Sequence, residues 1–238
     1  MYGGTDPRGA SPGCIKPQTL CAIIHTTLKI YKYHSVNINL LHSIRRQENW
    51  YSKLSFLNDP FDCYFLDNTK TDHYRNFLSS LAVCCFSKNR DEILMWSHYA
   101  SNHTGVCLEF DIVGDDIIKG RLMDVDYVSD YMVLDEVERT RTGHLSLNVT
   151  SNGRFLRTKF KNWSYEEEVR SYAICDAEHR TGRPQPFLGP LTGLYFGKNA
   201  SINDIALIRH NLSHLPGIKL FQVDLDTNTM KMDKLVLL

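Results

Sequence analysis

The sequence predicts a mixed α+β fold with mostly antiparallel sheets and flanking helices. Many short segments have strand character, a few have helical periodicity, and the two kinds do not alternate regularly. A chain of 238 residues with 42% hydrophobic content can bury one sizeable core. We therefore predict a single domain over residues 28–238. Residues 1–27 are predicted to be a flexible leader or an expression remnant, since the first 18 are rich in Gly and Pro.

The first predicted elements run from Thr27 to Ser87. Residues 27–35 alternate between polar and apolar side chains and are rich in aromatic residues, which predicts a strand. Residues 37–49 are predicted to be a helix, and residues 50–56 a second extended segment. Residues 79–87, with the apolar run LAVCCF, predict a buried strand.

The next predicted pair is a helix followed by a strand. Residues 90–101 have helical spacing of apolar side chains, and Asn89 with Glu92 fits a capping box at the helix start. Gly105 is expected to end this helix. Residues 105–111 alternate strictly, so their apolar residues should share one face of a strand.

The second half of the chain continues the mixed pattern. Residues 125–129 predict a strand, 131–141 an exposed helix, 143–154 a surface loop and 157–163 a helix. Ser201 and Asp204 fit the capping box of a further helix. The remaining predicted strands are residues 166–175, 191–197, 218–226 and 232–238.

Composition limits the classes of function. Lys plus Arg equals Asp plus Glu at 27 each, so no overall field attracts the chain to nucleic acid or membrane. No apolar run approaches the roughly 20 residues that cross a bilayer. The seven cysteines, an odd number without repeated spacing, suit reduced thiols. These features predict a cytoplasmic protein without a membrane partner, and they do not predict an oligomeric state.

The first cluster of candidate functional residues is the stretch FLNDPFDCYF, residues 56–65, where Asn58, Asp59 and Asp62 stand among apolar side chains. An Asn-Asp-Pro turn places short polar side chains against nearby backbone groups, and Pro60 fixes the bend. The stretch is therefore either a polar turn or a rigid loop that directs an amide or carboxylate at a ligand.

The second cluster is the helical motif that contains Trp96, His98 and Tyr99. At helical spacing, Trp96 and Tyr99 are expected to be core anchors. His98, with His103 and the cysteines nearby, could suggest zinc. The paired CxxC ligands of most structural zinc sites are missing, however, so no metal site is expected.

The third cluster runs from Trp163 to Arg170. Residues two apart on a strand share a face, so Glu166, Glu168 and Arg170 are expected to project together. This pattern fits a solvated charged edge. It also fits a site in which Arg170 holds one carboxylate through a bidentate pair and leaves the other free, framed by Trp163 and neighbouring tyrosines.

These motifs together resemble one protein family. In order along the chain they are YKYHS, LNDPFDC, CCFS, MWSHYASNHTGVCLEFD, KFKNWSYEEEVR and LYFGKNAS. This set resembles the bacterial family catalogued as domain of unknown function 2971. The resemblance runs from about Leu28 to near residue 225, and the family name assigns no activity. His34 departs from the basic residue expected after Tyr-Lys-Tyr.

The layout of these motifs also resembles that of ADP-ribosyltransferase-like proteins, in which NAD lies in a cleft of a split sheet. The resemblance implies a cleft between two small sheets. It also implies NAD-contacting roles for Lys32 or Tyr33 on an early strand and for Tyr51 or Ser52 on a second strand. A late strand would supply the catalytic pair Glu166 and Glu168, and Asn58 and Asp59 would contact the nucleotide.

The resulting expectation is an NAD-using ADP-ribosyltransferase or NAD glycohydrolase of a bacterial phage-defence or toxin system. Glu168 would stabilise positive charge on the ribose, and Glu166 would engage an acceptor, which could be protein, nucleic acid or water. Two alternatives remain open. One is a non-catalytic partner-binding module of a defence or toxin–antitoxin system. The other is a Mg²⁺-dependent nuclease-like enzyme that uses Asp59, Asp62, Glu109 and the two glutamates.

Overall fold

The computed structural model describes residues 27–62, 65–67, 77–114, 121–130, 132–134, 156–176 and 178–238. It confirms the predicted α+β class and the mostly antiparallel pairing. The described strands are β1 (Thr27–His34), β2 (Glu48–Lys53), β3 (Phe65–Asp67), β4 (Leu81–Ser87), β5 (Val106–Val113), β6 (Met123–Asp124), β7 (Asp126–Val128), β8 (Met132–Leu134), β9 (Thr158–Phe160), β10 (Glu168–Ile174), β11 (Gly182–Pro186), β12 (Leu191–Phe196), β13 (Lys219–Asp226) and β14 (Lys231–Leu237). The described α-helices are α1 (Ile38–Arg46), α2 (Ile93–Tyr99) and α3 (Ile202–Leu212), and the 3₁₀ segments are Leu54–Phe56 and Lys161–Glu166.

Ten of these strands form one sheet. Eight follow the order β11-β2-β4-β1-β5-β12-β13-β14, while β10 pairs with both β4 and β6. Within this sheet only the β12–β13 pairing is parallel. The separate pairs β3–β8 and β7–β9 are also parallel. The resemblance implied two small sheets, whereas ten of the fourteen described strands join into one large sheet.

That large sheet forks at β4. One edge of β4 pairs with β10 along its whole length. The other edge is shared: β2 pairs with it at Ala82 and Val83, and β1 pairs with it only at Ser87. On their other edges, β1 pairs with β5 along its whole length and β2 pairs with β11. The strands β1 and β2 therefore diverge next to residues 84–86 of β4 and leave an opening in the sheet.

One face of the sheet is covered by α1 and α3. Asn37 caps α1 by accepting from the amides of Asn39 and Leu40, and the helix buries Leu40 and Ile44, four residues apart. The predicted capping box of α3 is confirmed: the Ser201 hydroxyl accepts from the Asp204 amide at 3.1 Å. Both helices pack on a core that includes the apolar residues of β5, namely Val106, Leu108, Phe110 and Ile112.

The opposite face carries a smaller apolar cluster beneath α2. Trp96 is fully buried and packs edge-on against Tyr33, with ring centroids 5.2 Å apart. Its indole N–H donates to the Arg90 carbonyl at 2.8 Å. The chain leaves α2 through a left-handed turn and reaches Gly105, where a Cβ would stand 2.2 Å from the His34 carbonyl oxygen. This close approach requires glycine.

Several element predictions were wrong in type or extent. Glu92, rather than Asn89, caps α2 by accepting from the Leu94 amide. The helix predicted over 157–163 is instead strand β9 followed by a 3₁₀ segment, and the helix predicted from residue 131 contains strand β8. Edge strand β11 was not predicted because its two prolines cannot donate to a ladder.

Other predictions lie outside the described residues: the leader over residues 1–26, the loop at 143–154, and Cys14, Cys21 and Cys63. The four cysteines within the described ranges are free thiols. None of the helices in those ranges is both long and apolar enough to cross a membrane.

Candidate active site

A cleft of about 190 Å³ lies at the fork of the sheet. Strands β1, β2 and β4 form its walls, and α2 and the Leu57–Asp62 loop close its sides. Elements late in the chain contribute Lys159, Glu166 and Glu168. The fork therefore brings the three sequence clusters, which are far apart along the chain, to one cavity.

The carboxylates of the cleft are held from behind its lining by Arg170 on β10, which is fully buried and is not itself a lining residue. Its Nε donates to Glu168 Oε1 at 2.8 Å, and Nη2 donates to Glu168 Oε2 at 3.2 Å. Nη2 also lies 2.7 Å from Asp62 Oδ1, and Nη1 donates to the Leu156 carbonyl at 2.9 Å. The predicted bidentate pair is present, and Asp62 adds a second carboxylate to it.

A second buried cation, Lys159 of β9, links the two glutamates. Its Nζ lies 2.5 Å from Glu166 Oε2 and 2.9 Å from Glu168 Oε2. Asp62 Oδ2 is 3.9 Å away, and the Trp163 ring lies beneath the ammonium at 5.0 Å from its centroid. Lys159 therefore fixes the spacing of the two glutamates and reduces their mutual repulsion.

Glu166 reaches the cleft from a different element than predicted. It ends the 3₁₀ segment rather than sharing a strand face with Glu168, and Glu167 between them has left-handed backbone with φ of 42°. Glu166 Oε1 accepts from the Tyr99 hydroxyl at 2.5 Å, and that hydroxyl accepts from Asn58 Nδ2 at 2.7 Å. The Asn58 turn is therefore connected to Glu166 through the Tyr99 hydroxyl.

The pKa values of the two glutamates are shifted in opposite directions. Burial by itself would raise the pKa of Glu168, but Arg170 and Lys159 lower that pKa to about 2. Burial raises the pKa of Glu166 above its usual value, because the opposing effects of Lys159 and Tyr99 are smaller. Paired carboxylates whose pKa values are driven apart are typical of acid–base sites, in which one stays ionised and the other exchanges a proton.

The walls of the cleft combine aromatic rings with a cation. Tyr33 and Trp50 supply ring surfaces on opposite sides of the fork. Lys32 Nζ donates to the Cys85 carbonyl at 3.0 Å and lies 5.4 Å from the centroid of Phe86. The cleft therefore offers flat apolar surfaces next to charged groups, as a site for a polar aromatic ligand does.

Most of the residues predicted for the site line this cleft: Lys32, Tyr33, Ser52, Asn58, Asp62, Tyr99, Glu166 and Glu168. Other predicted residues lie elsewhere. Tyr51 is buried in the core and donates to Ser171 Oγ, so Ser52 is the residue of that pair that lines the cleft. Trp96 is a core residue, and His98 is paired with the Tyr165 hydroxyl at 3.1 Å. Asp59 lines a separate hollow.

Sequence reasoning missed three residues beside the glutamates. Lys159 was assigned to a helix, although it belongs to the motif KFKNWSYEEEVR that carried the resemblance. The Tyr127 hydroxyl accepts from the Glu168 amide at 2.8 Å. Cys85 lines the cleft from β4, where it lies opposite Arg170 of β10. The predicted frame residue Tyr172 instead donates to the Leu156 carbonyl.

The carboxylates are arranged around cations that belong to the protein itself. Asp62, Glu166 and Glu168 converge on Arg170 and Lys159, while Glu109 belongs to a different cluster. Over the described ranges, no group of three or more His, Cys, Asp or Glu side chains is placed to hold a metal ion. The arrangement can stabilise a developing cation and transfer a proton at adjacent points.

Comparison with known proteins gives one match. Residues 95–171 match the model of the family described as "Protein of unknown function (DUF2971)". No curated protein and no solved structure matches the chain significantly. The matched segment begins in α2 and ends in β10, so it includes Tyr99, Lys159 and both glutamates. It supports the family resemblance seen in the sequence, and it carries no statement of activity.

Proposed function

We propose that the protein cleaves the bond between nicotinamide and ribose in NAD or a related nucleotide, as an ADP-ribosyltransferase or NAD glycohydrolase. The observation that carries the proposal is the pair of glutamates in the cleft, which Lys159 Nζ joins at 2.5 and 2.9 Å and of which only Glu168 is also held by Arg170. These contacts lower the pKa of Glu168, whereas burial raises the pKa of Glu166. This division of roles suits a reaction that needs a permanent anion and a proton acceptor at adjacent positions.

The permanent anion is Glu168. When the nicotinamide–ribose bond breaks, its electron pair leaves with the ring nitrogen and positive charge develops on the ribose. A carboxylate that is already oriented by Arg170 and Lys159 stabilises this charge without having to reorganise. Its low pKa keeps it ionised at neutral pH.

The proton acceptor is Glu166. As the oxygen of water or of another acceptor bonds to the ribose carbon, its proton passes to the ionised Glu166. The raised pKa makes this carboxylate a stronger base than an ordinary glutamate, and the Tyr99 hydroxyl orients it. The aromatic rings of Tyr33 and Trp50 suit a planar leaving group.

The test is the release of nicotinamide from NAD, measured by chromatography. We expect release by the unaltered protein and a loss of about 10²–10³-fold in Glu168→Gln. Glu166→Gln, which resembles the protonated form of that residue, should also lose activity, and it should disturb the fold less than Glu168→Gln does. Glu167→Gln is the matched control, because Glu167 is exposed and its side chain accepts from Asn89.

Equal, nonzero rates in the unaltered protein and in folded Glu168→Gln would remove Glu168 from the mechanism. Absence of release from the unaltered protein, with water and with protein or nucleic-acid acceptors, would overturn the proposal. The melting temperature of each variant shows whether a lost activity reflects a lost fold.

A second candidate function is a partner-binding module of a defence or toxin–antitoxin system. The observation that favours it is the exposure of two aromatic side chains: Trp50, which lines the cleft, is 49% exposed, and Phe56, which precedes the Leu57–Asp62 loop, is 59% exposed. Exposed aromatic side chains of this kind are enriched at protein interfaces. A binding module should show no rise in melting temperature with NAD, whereas an enzyme of the proposed kind should show one.

A further inference from the structure

A second hollow of about 560 Å³ lies on the other side of the Leu57–Asp62 loop. Leu57 and Asp62 line both this hollow and the cleft at the fork, so the two cavities are neighbours. The second hollow is otherwise lined by residues from the start of the loop and from a distant segment, among them Lys53, Ser55, Asp59 and Arg180.

Asp59, which lines this hollow, has one carboxylate oxygen without a hydrogen-bond partner among the described residues. Asp59 is only 5% exposed, and its Oδ1 accepts from the Phe61 amide at 2.9 Å, which holds the turn. Its Oδ2 is buried and accepts no hydrogen bond from the described part of the chain. Buried carboxylate oxygens are normally satisfied, because they lose hydration on burial. An oxygen left in this state points to a donor that a ligand supplies.

Two cations line the same hollow. Neither Lys53 nor Arg180 forms an ion pair with any described residue, although each is on the cavity wall. Unpaired Lys and Arg side chains that face one cavity suit an anion such as phosphate. The lining of the hollow therefore includes a carboxylate with an unsatisfied oxygen and two cations.

The two cavities differ in size, and this difference suggests which part of a dinucleotide each one would hold. The cleft at the fork, at about 190 Å³, is smaller than the roughly 300–1,000 Å³ of cavities that take a whole drug-sized ligand. The second hollow, at about 560 Å³, is within that range. A dinucleotide is too large for the first cleft alone, so the half that does not react needs an adjacent cavity.

We propose that the second hollow binds the adenosine monophosphate half of the dinucleotide. Its phosphate meets Lys53 and Arg180, and a hydroxyl or amino group donates to Asp59 Oδ2. The proposal rests on the proposed function for the choice of nucleotide. The Leu57–Asp62 loop then separates the reacting half of the substrate, beside Asn58, from the half that is only held.

The test measures binding of adenosine monophosphate by isothermal titration calorimetry. Asp59→Asn keeps the oxygen that accepts from the Phe61 amide but replaces the unpartnered oxygen with an NH₂ group. We expect it to weaken binding at least about tenfold. Asp226→Asn is the matched control, because Asp226 Oδ1 holds a similar exposed turn by accepting from the Asn228 amide at 2.8 Å, and its affinity should be unchanged.

A second pair of variants tests the phosphate contact. Lys53→Met should weaken binding of adenosine monophosphate at least several-fold and should have little effect on binding of adenosine, which lacks the phosphate. Lys219→Met, an exposed substitution on β13, should leave both affinities unchanged. The proposal would be overturned if the unaltered protein did not bind adenosine monophosphate, or if Asp59→Asn and Lys53→Met both bound it as tightly as the unaltered protein does.

The outcome is separable from that of the proposed function. Binding that depends on Asp59 and Lys53, without nicotinamide release, would keep the nucleotide site and reject the reaction. Nicotinamide release that depends on Glu168, with adenosine monophosphate affinity indifferent to Asp59 and Lys53, would keep the reaction and reject this site.

Discussion

The described residues contain two clusters in which cations lie between carboxylates, and the clusters differ in exposure. In the first, Arg170 pairs with Glu168 and Asp62, Lys159 pairs with Glu168 and Glu166, and both cations are buried. In the second, Lys29 Nζ lies 2.5 Å from Glu109 Oε1 and 3.0 Å from Asp111 Oδ1, while 49% of its side chain is exposed. The groupings are alike, but water reaches only the second freely.

The carboxylates of the two clusters show the consequence. Burial by itself would raise the pKa of Glu109, but Lys29, Tyr195 and Thr192 lower that pKa below its usual value. The Tyr195 hydroxyl donates at 2.7 Å, so the hydrogen bonds of Glu109 are satisfied locally. Glu166, in the buried cluster, has the opposite shift. An ion cluster acquires a carboxylate that suits proton transfer only where burial outweighs the stabilising partners.

The largest expected effect is the loss of the buried cation. Arg170→Met should lower the free energy of unfolding by about 3–5 kcal/mol, because Glu168 and Asp62 would remain buried with only Lys159 beside them. Urea denaturation followed by circular dichroism measures the change. A decrease of less than about 1 kcal/mol in the free energy of unfolding would mean that water reaches the buried cluster, and the buried and exposed clusters would then not differ in strength.

The second effect is a dependence on pH. Glu168 has a folded pKa of about 2, against an ordinary value of 4.5, so it stabilises the fold above pH 4.5 and loses this contribution as the pH falls toward 2. The difference between 4.5 and 2 corresponds to about 3 kcal/mol. The stability gap between the unaltered protein and Glu168→Gln should therefore shrink by about that amount between pH 5 and pH 2.

Urea denaturation of both proteins at several pH values measures this gap. Glu166 and Asp62 are present in both, so the comparison largely isolates Glu168. A gap that does not change with pH would show that Glu168 keeps an ordinary pKa, which would also weaken its proposed role as a permanent anion.

The smallest effect belongs to the exposed cluster. Lys29→Met should lower the free energy of unfolding by no more than about 1 kcal/mol, since the ammonium is half exposed and Glu109 keeps its bonds from Tyr195 and Thr192. Added salt should reduce the effect further. A cost as large as that of Arg170→Met would show that exposure does not distinguish the two clusters.

The sequence predicted the elements whose pattern is local. Strict alternation predicted β5, and the Ser201–Asp204 pair predicted the start of α3. The same logic failed at residues 157–163, because only pairing with β7 makes Thr158–Phe160 a strand. Pro184 and Pro186 likewise made a strand over β11 look unfavourable, because the pairing of this edge strand with β2, far away in sequence, cannot be seen from local pattern.

The site was partly predictable for a related reason. Motif order identified the Asn58 turn, Tyr99 and both glutamates, since each belongs to a distinctive short segment. The sequence could not show that Glu167 turns left-handed, so that Glu166 and Glu168 reach the cleft from different elements. It also could not show that Lys159 lies between them, because that contact depends on how β9 packs against β10.

The Lys32 side chain makes a hydrogen bond to β4 that a neighbouring strand would otherwise make. Where β1 and β2 diverge, the Cys85 carbonyl would ordinarily accept from the backbone amide of a neighbouring strand, and it accepts instead from the Lys32 ammonium. A backbone amide is fixed in its ladder, whereas a lysine side chain has several rotatable bonds. Loss of this one hydrogen bond would leave the pairing of β4 with β10 intact, so the wall of the cleft is less constrained here than where two strands pair.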